Sequence, residues 1–237
     1  MQAVKSFFRS FSKGELLLWG ASVLLIVLSF CVFDRENWLT LFASLVGATS
    51  LIFCAKGNPA GQALMLLFSA LYGVISWTFS YYGEMITYLG MTAPMALAAL
   101  ISWLRHPFKG NRAEVRVNRL RAGEAAFALL LTAAVTAAFY FILKALDTAN
   151  LIPSTVSVAT SFLAVYLTFR RSPYYALAYA ANDVVLVVLW TLAAIEDITY
   201  LSVIICFVMF LANDLYGFIN WRRMEKRQKE SDAEPAA

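Results

Sequence analysis

Residues 198–221 read ITYLSVIICFVMFLANDLYGFINW. From Ile198 to Ala212 no charged side chain occurs; Asn213 and Asp214 then stand side by side, and the apolar pattern resumes until Arg222 and Arg223 end it. As a helix rising 1.5 Å per residue this run reaches about 36 Å, enough to cross a hydrocarbon core of about 30 Å. A helix is required, because in lipid only helices or closed barrels satisfy their own backbone. A carboxyl and an amide in the middle of such a span are costly, and they mark a cavity, a partner or a pathway.

Working outward, seven more apolar runs of similar length occupy residues 16–33, 38–54, 61–80, 85–104, 123–146, 153–169 and 174–195. The first follows Lys5, Arg9 and Lys13 and has the look of a signal peptide, but no small-residue cleavage site follows it, so it is read as a span. Composition agrees: 61% of the chain is hydrophobic and 14% charged, with a mean hydropathy of +0.68, whereas water-soluble domains carry roughly 25% charged residues. The net charge of +4 does not point to nucleic acid, because the basic residues lie in gaps between apolar runs rather than on one solvated patch. Of 19 Lys and Arg residues, 17 fall on one side when the eight spans alternate, leaving only Arg35 and Lys144 on the other. By the positive-inside rule both termini are then cytoplasmic. Residues 222–237 read as a charged, solvated, partly disordered tail. Cys31, Cys54 and Cys206 sit inside apolar runs without disulfide or metal-ligand spacing.

The chain also repeats itself. Ala48-Thr49-Ser50 returns as Ala159-Thr160-Ser161, Lys56-Gly57-Asn58-Pro59 as Arg170-Arg171-Ser172-Pro173, Trp77-Thr78 as Trp190-Thr191, and Ile86-Thr87-Tyr88-Leu89 as Ile198-Thr199-Tyr200-Leu201. The order is kept and the offsets are nearly constant, at 111, 114, 113 and 112. One odd helix between the units keeps them parallel in the membrane. The expected fold is an all-α polytopic membrane protein of eight transmembrane helices arranged 1+3+1+3, with two parallel three-helix repeats as in SWEET-type carriers. Its segments are 1–37 (leading segment and extra helix), 38–104 (first repeat), 105–152 (basic loop and linker helix), 153–221 (second repeat) and 222–237 (tail). The linker's Ala133, Ala134, Thr136 and Ala137 suit close helix contact.

The intramembrane polar residues are the candidate site. Asn182-Asp183 and Asn213-Asp214 both lie about 12 Å inside the membrane on adjacent antiparallel helices, so they share a depth and can meet across a central site. Helical spacing extends each patch, through Tyr175, Tyr179, Asn182 and Leu186 on one helix and Asn213, Tyr216 and Asn220 on the next. Phenol, amide and carboxyl on one stripe suit a ligand with an aromatic ring and hydroxyls. The competing reading is interhelical glue. Trp190 and Tyr72 join the candidates, although Trp77, Trp190, Tyr72, Tyr81, Tyr82, Tyr88 and Trp103 also suit an aromatic belt, and Trp103 reads as an interface anchor. Pro94 is placed to kink the fourth span beside the cavity. His106 in the basic loop reads as solvated. No phosphate-binding Gly loop, nucleophile elbow or zinc motif occurs, so neither an enzyme nor a cofactor or metal is expected.

Ala181-Asn182-Asp183 with Trp190, followed by Phe210-Leu211-Ala212-Asn213-Asp214-Leu215-Tyr216-Gly217 and Trp221, resembles the PnuC family of bacterial vitamin transporters, over roughly residues 41–223. The resemblance implies a SWEET-like carrier moving nicotinamide riboside by facilitated diffusion, Asn182 and Asn213 as substrate ligands, and a functionally linked cytoplasmic kinase that traps the vitamin. Its other partner is the lipid bilayer; whether it is a homo-oligomer is left open. Family members often carry Trp-x-x-Trp before the asparagine, where this chain has Tyr175-Ala176-Leu177-Ala178. One ring survives at Tyr175 and the second is lost unless Tyr179 replaces it, so thiamine, riboflavin and deoxynucleosides stay open as alternative solutes.

Overall fold

A computed structural model describes residues 11–78, 85–148 and 150–233; Lys5, Arg9, Tyr81 and Tyr82 lie outside them. Among the described residues, eight helices are long and apolar enough to cross a membrane. They are α1 (Lys13–Phe33), α2 (Trp38–Ala55), α3 (Ala60–Thr78), a π-helical turn (Thr87–Thr92) running into α4 (Ala93–Arg105), α5 (Ala122–Ala145), α6 (Leu151–Phe169), α7 (Tyr175–Ala194) and α8 (Leu201–Ala233). Pro94 acts through the π turn: it stands in the first turn of α4, and the Ala93 N–H reaches back five residues to the Tyr88 carbonyl.

α2, α3 and α4 form one packed trio, and α6, α7 and α8 another. Between the trios α2 packs on α8 and α4 on α6, so each trio's first helix meets the other's third. The same reciprocity holds at atomic detail. A helix leaves its last four carbonyls without intrahelical donors. At the end of α2 the Trp221 indole donates to the Cys54 carbonyl (2.8 Å) and the Asn220 amide to the Ala55 carbonyl (2.8 Å). At the end of α6 the Trp103 indole donates to the Thr168 carbonyl (2.9 Å) and the Ser102 hydroxyl to the Phe169 carbonyl (2.9 Å). Trp103 and Trp221 are wholly buried and touch, with ring centroids 5.3 Å apart. The interface-anchor reading of Trp103 is therefore corrected: its indole N–H has a backbone acceptor in the core, and a buried Trp needs one.

Both capped helices end in the same turn. The residue after the cap is left-handed in each, Gly57 at φ 67° and Arg171 at φ 56°. Paired 5→2 and 6→1 bonds close both ends: Gly57 N–H to Cys54 O and Asn58 N–H to Phe53 O, then Arg171 N–H to Thr168 O and Ser172 N–H to Leu167 O. The linker stitches the two turns together, with Val115 N–H on the Gly57 carbonyl (2.9 Å) and Asn118 N–H on that of Arg171 (3.0 Å).

That linker carries a hairpin the sequence reading lacked. β1 (Pro107–Phe108) pairs antiparallel with β2 (Asn111–Val115) around Lys109 and Gly110, both at positive φ, as a two-residue hairpin turn requires. The tail is corrected too. α8 is 33 residues long, about 50 Å, some 20 Å more than a bilayer core. Its extension docks on the linker instead of dissolving: Gln228 donates to Glu114 and the Val115 carbonyl, and Arg116 pairs with Asp232 at 2.6 Å and Arg119 with Glu225. Met224 is buried against Gly57 and Val115.

The two helices outside the trios behave differently. α1 lays Glu15, Trp19, Ser22, Ile26 and Phe30 on one face; Glu15 forms a capping box with Ser12, pairs with Lys56 at 2.8 Å and accepts the Tyr216 hydroxyl at 3.0 Å. α5 packs on α6 through Leu131, Val135, Phe139 and Leu143. Ala133, Ala134 and Ala137 are exposed, so the expectation of close contact through these residues is corrected; the buried small residues of α5 are Ala128 and Thr132.

Replacing Trp221 with Phe keeps the ring and strands the Cys54 carbonyl, which costs about 1–3 kcal/mol. Trp103→Phe strands the Thr168 carbonyl at similar cost. Because the two rings touch, the double variant should depart from additivity by about 0.5 kcal/mol or more, measured by denaturation in detergent; strict additivity would mean the two caps do not act as one clamp.

Candidate substrate cavity

The linker, both turns and the α8 extension gather at the basic end and close it. From the opposite end a cavity of about 350 Å³ descends between the trios. Its mouth is formed by Asp147 and Asn150, both exposed, where α5 turns into α6. Its floor holds Asn182, Asp183 and Asp214, all buried. The first trio contributes Leu51, Met65, Phe68 and Tyr88, a largely apolar wall; the second contributes the polar side. The π turn places Thr87, Tyr88 and Thr92 on the lining, so the loosened backbone expected beside the cavity lies there.

α7 faces the cavity along Tyr179, Asn182, Asp183, Leu186, Leu189, Trp190 and Ala193, alternating three- and four-residue steps that make one helical stripe. The Asn182 carbonyl oxygen accepts three hydroxyls of α6: Thr160 at 2.8 Å, Ser161 at 3.0 Å and Ser157 at 3.1 Å. An amide has one acceptor oxygen and two donor hydrogens. With the oxygen held by α6, the amide nitrogen is what Asn182 has left to offer a ligand, and it pairs with an acceptor. α8 faces the cavity with Phe207, Phe210 and Asp214, and the Asp183 and Asp214 carboxyls interact directly.

Trp190 is buried, stacks on Tyr200 at 5.3 Å and lines both this cavity and a smaller one of about 120 Å³ toward the same membrane face. Trp77 is exposed, as a belt residue would be. The smaller cavity is bounded by Tyr72, Asp34 and Asp197. Asp197 caps the turn before α8, and the Thr199 N–H holds its carboxyl below the usual carboxylate range.

Tyr179, Asn182, Asp183, Trp190 and Asp214 are thus together on the main cavity. Four other candidates are placed elsewhere. Asn213 donates to Ser22 of α1 (2.8 Å) and the Met209 carbonyl (2.7 Å); Tyr216 faces Glu15; Tyr175 packs against Trp221, centroids 4.9 Å apart, beneath the floor; and Tyr72 packs behind Phe68 and Tyr88. The stripe of Asn213, Tyr216 and Asn220 serves helix packing, and the two asparagines do not meet. Neighbouring positions on a helix point about 100° apart; on α8 Asp214 faces the cavity and Asn213 turns toward α1. The sequence reading missed Ser157 and Thr160 as site residues. Their signal was present as Ser154, Ser157 and Ser161 at helical spacing, three of the cavity's lining residues.

A family model described as Nicotinamide mononucleotide transporter matches residues 37–223. A nicotinamide riboside transporter PnuC of Neisseria mucosa is 30% identical over 201 residues, covering 83% of this chain and 76% of that protein. One of Haemophilus influenzae is 20% identical over 216 residues, covering 89% and 91%. A crystal structure of the vitamin B3 transporter PnuC superimposes with a TM-score of 0.80 at 25% identity, covering 92% of this chain and 94% of that one.

Thr160 makes the shortest of the three bonds to Asn182 without being among the cavity's lining residues. Thr160→Val should weaken binding of nicotinamide riboside, the solute named for those relatives, by about two- to tenfold, with Thr160→Ser restoring it, by titration calorimetry. Wild-type affinity in Thr160→Val would show that the hydroxyls do not orient Asn182.

Proposed function

The chain belongs to the nicotinamide mononucleotide transporter family, and from that premise we propose that it takes up nicotinamide riboside by facilitated diffusion, with alternating access. The observation that carries the choice of solute is the charge of the cavity. Asp147, Asp183 and Asp214 are among its lining residues and no Lys or Arg is. Phosphate sites are built from Arg, Lys or helix N-termini aimed at the anion. A mononucleotide would set its phosphate among carboxyls; a riboside has none to set. At 350 Å³ the cavity lies within the roughly 300–1,000 Å³ of small-molecule sites.

In this reading Tyr179 stacks the aromatic ring, the Asn182 amide one turn away donates to a ribose or carboxamide oxygen, and Trp190, about 16 Å along α7 from Tyr179, walls the cavity nearer its mouth. Asn213 holds α1 to α8. The basic end faces the cytoplasm of a bacterial inner membrane, so the cavity is open outward. The two trios read as copies of one unit, which the reciprocal caps support, and access alternates as they rock against each other, so that opening the basic end parts the Trp103–Trp221 contact and its caps. An uncoupled carrier only equilibrates its solute. Net uptake needs a cytoplasmic kinase, whose phosphorylated product an acid-lined cavity would not readmit.

Uptake of labelled nicotinamide riboside into proteoliposomes, with thermal shift of the purified protein against the riboside, the mononucleotide, thiamine and riboflavin, tests this. The riboside should raise the melting temperature by mass action and the mononucleotide should not. Asn182→Ala should cut affinity about tenfold or more, whereas Asn213→Ala should lower the melting temperature and leave affinity within about twofold. Stabilisation by thiamine alone would reassign the solute; loss of binding in Asn213→Ala at full stability would return Asn213 to the site.

A further inference from the structure

We propose that the Asp183–Asp214 carboxyl pair is the counter-charge for a cationic ring, and that it makes this cavity select cationic over neutral ribosides; the inference rests on the riboside reading above. A carboxyl at membrane depth is costly enough that a partner is expected, and buried charges ordinarily have one. Here no basic residue lines the cavity that holds both. Each residue is 4% exposed, and their carboxyls share a hydrogen bond, which takes one proton between two acceptors and leaves the pair at most one negative charge to be offset. The Asp183 Oδ2 atom is buried and accepts no hydrogen bond within the protein. Acceptors buried this deeply without a donor are uncommon in native proteins, and this one belongs to a residue on the cavity floor.

The walls fit the same occupant. Phe68, Tyr88, Tyr179, Trp190 and Phe210 line the same cavity as the pair, and the faces of aromatic rings attract cations, most strongly where water is excluded. Asp147 adds a third carboxyl at the mouth. A riboside whose ring nitrogen is quaternised by the glycosidic bond carries one fixed positive charge at every pH. Its reduced dihydropyridine form has the same ribose and carboxamide and no charge. The two differ at the ring alone, in charge and in aromaticity, and the share of that difference due to the carboxyl pair is read from variants that neutralise it.

Titration calorimetry of the full-length protein in detergent, with nicotinamide riboside and with its dihydro form, provides the test. The wild type should bind the cation about tenfold or more tightly than the neutral form. Asp183→Asn and Asp214→Asn, which keep shape and remove charge, should each bring that ratio below about threefold, by weakening the cation while the neutral form holds. Equal wild-type affinity for the two forms would overturn the proposal and leave the riboside reading standing, and it decides the matter even if neither variant folds. Equal loss of both ligands in variants of unchanged melting temperature would overturn it too. Binding of neither form by the wild type would defeat the riboside reading itself, and this proposal with it.

Discussion

Carbonyls at the end of a membrane helix have to find donors, because lipid offers none. At the basic end of this protein the ends of α2 and α6 find them in each other's trio, through Asn220 and Trp221 on one side and Ser102 and Trp103 on the other. Much of the architecture follows. In this state the two helix trios are held together where they satisfy one another's backbone, and the linker fastens the same two turns again through Gly57 and Arg171. The space between the trios therefore widens only toward the other end, where the cavity opens past Asp147 and Asn150. A tight end and an open end are the geometry of a rocking carrier.

The sequence motifs that recur along the chain have diverged in use. Thr49 accepts the Trp19 indole and Ser50 donates to the Gly61 carbonyl, which packs α2 against α1 and α3. Thr160 and Ser161, their counterparts, hold Asn182 at the cavity. Both trios build the scaffold, while the floor's amide and carboxyls come from one side alone, α7 and α8, and the first trio gives mainly an apolar wall. Gly47 keeps that wall close: a Cβ there would stand 2.5 Å from Phe210 and 2.9 Å from Phe68, both lining residues.

Eight apolar runs could be read directly, because hydrocarbon thickness sets their length and nothing else in a chain looks like them. Counting residues gave the polar pairs a shared level, and Asn182, Asp183 and Asp214 line one cavity. What periodicity cannot choose is the face. Asn213 and Asp214 are adjacent, and only the position of α1, with Ser22 waiting at 2.8 Å, sends one away from the cavity. Trp103 looked like a surface anchor because its partner, the Thr168 carbonyl, is 65 residues distant in sequence. The charged tail resembled a disordered end because its stabilising contacts are to Glu114, Arg116 and Arg119, again far along the chain.

The most direct measurement is an experimental structure of the full-length protein with nicotinamide riboside bound. The account predicts the ligand between the trios, its ring against Tyr179, a polar oxygen on the Asn182 amide nitrogen, and the Trp103–Trp221 clamp intact. A ligand seated beside Asn213 against α1, or at the basic end among the linker residues, would contradict it.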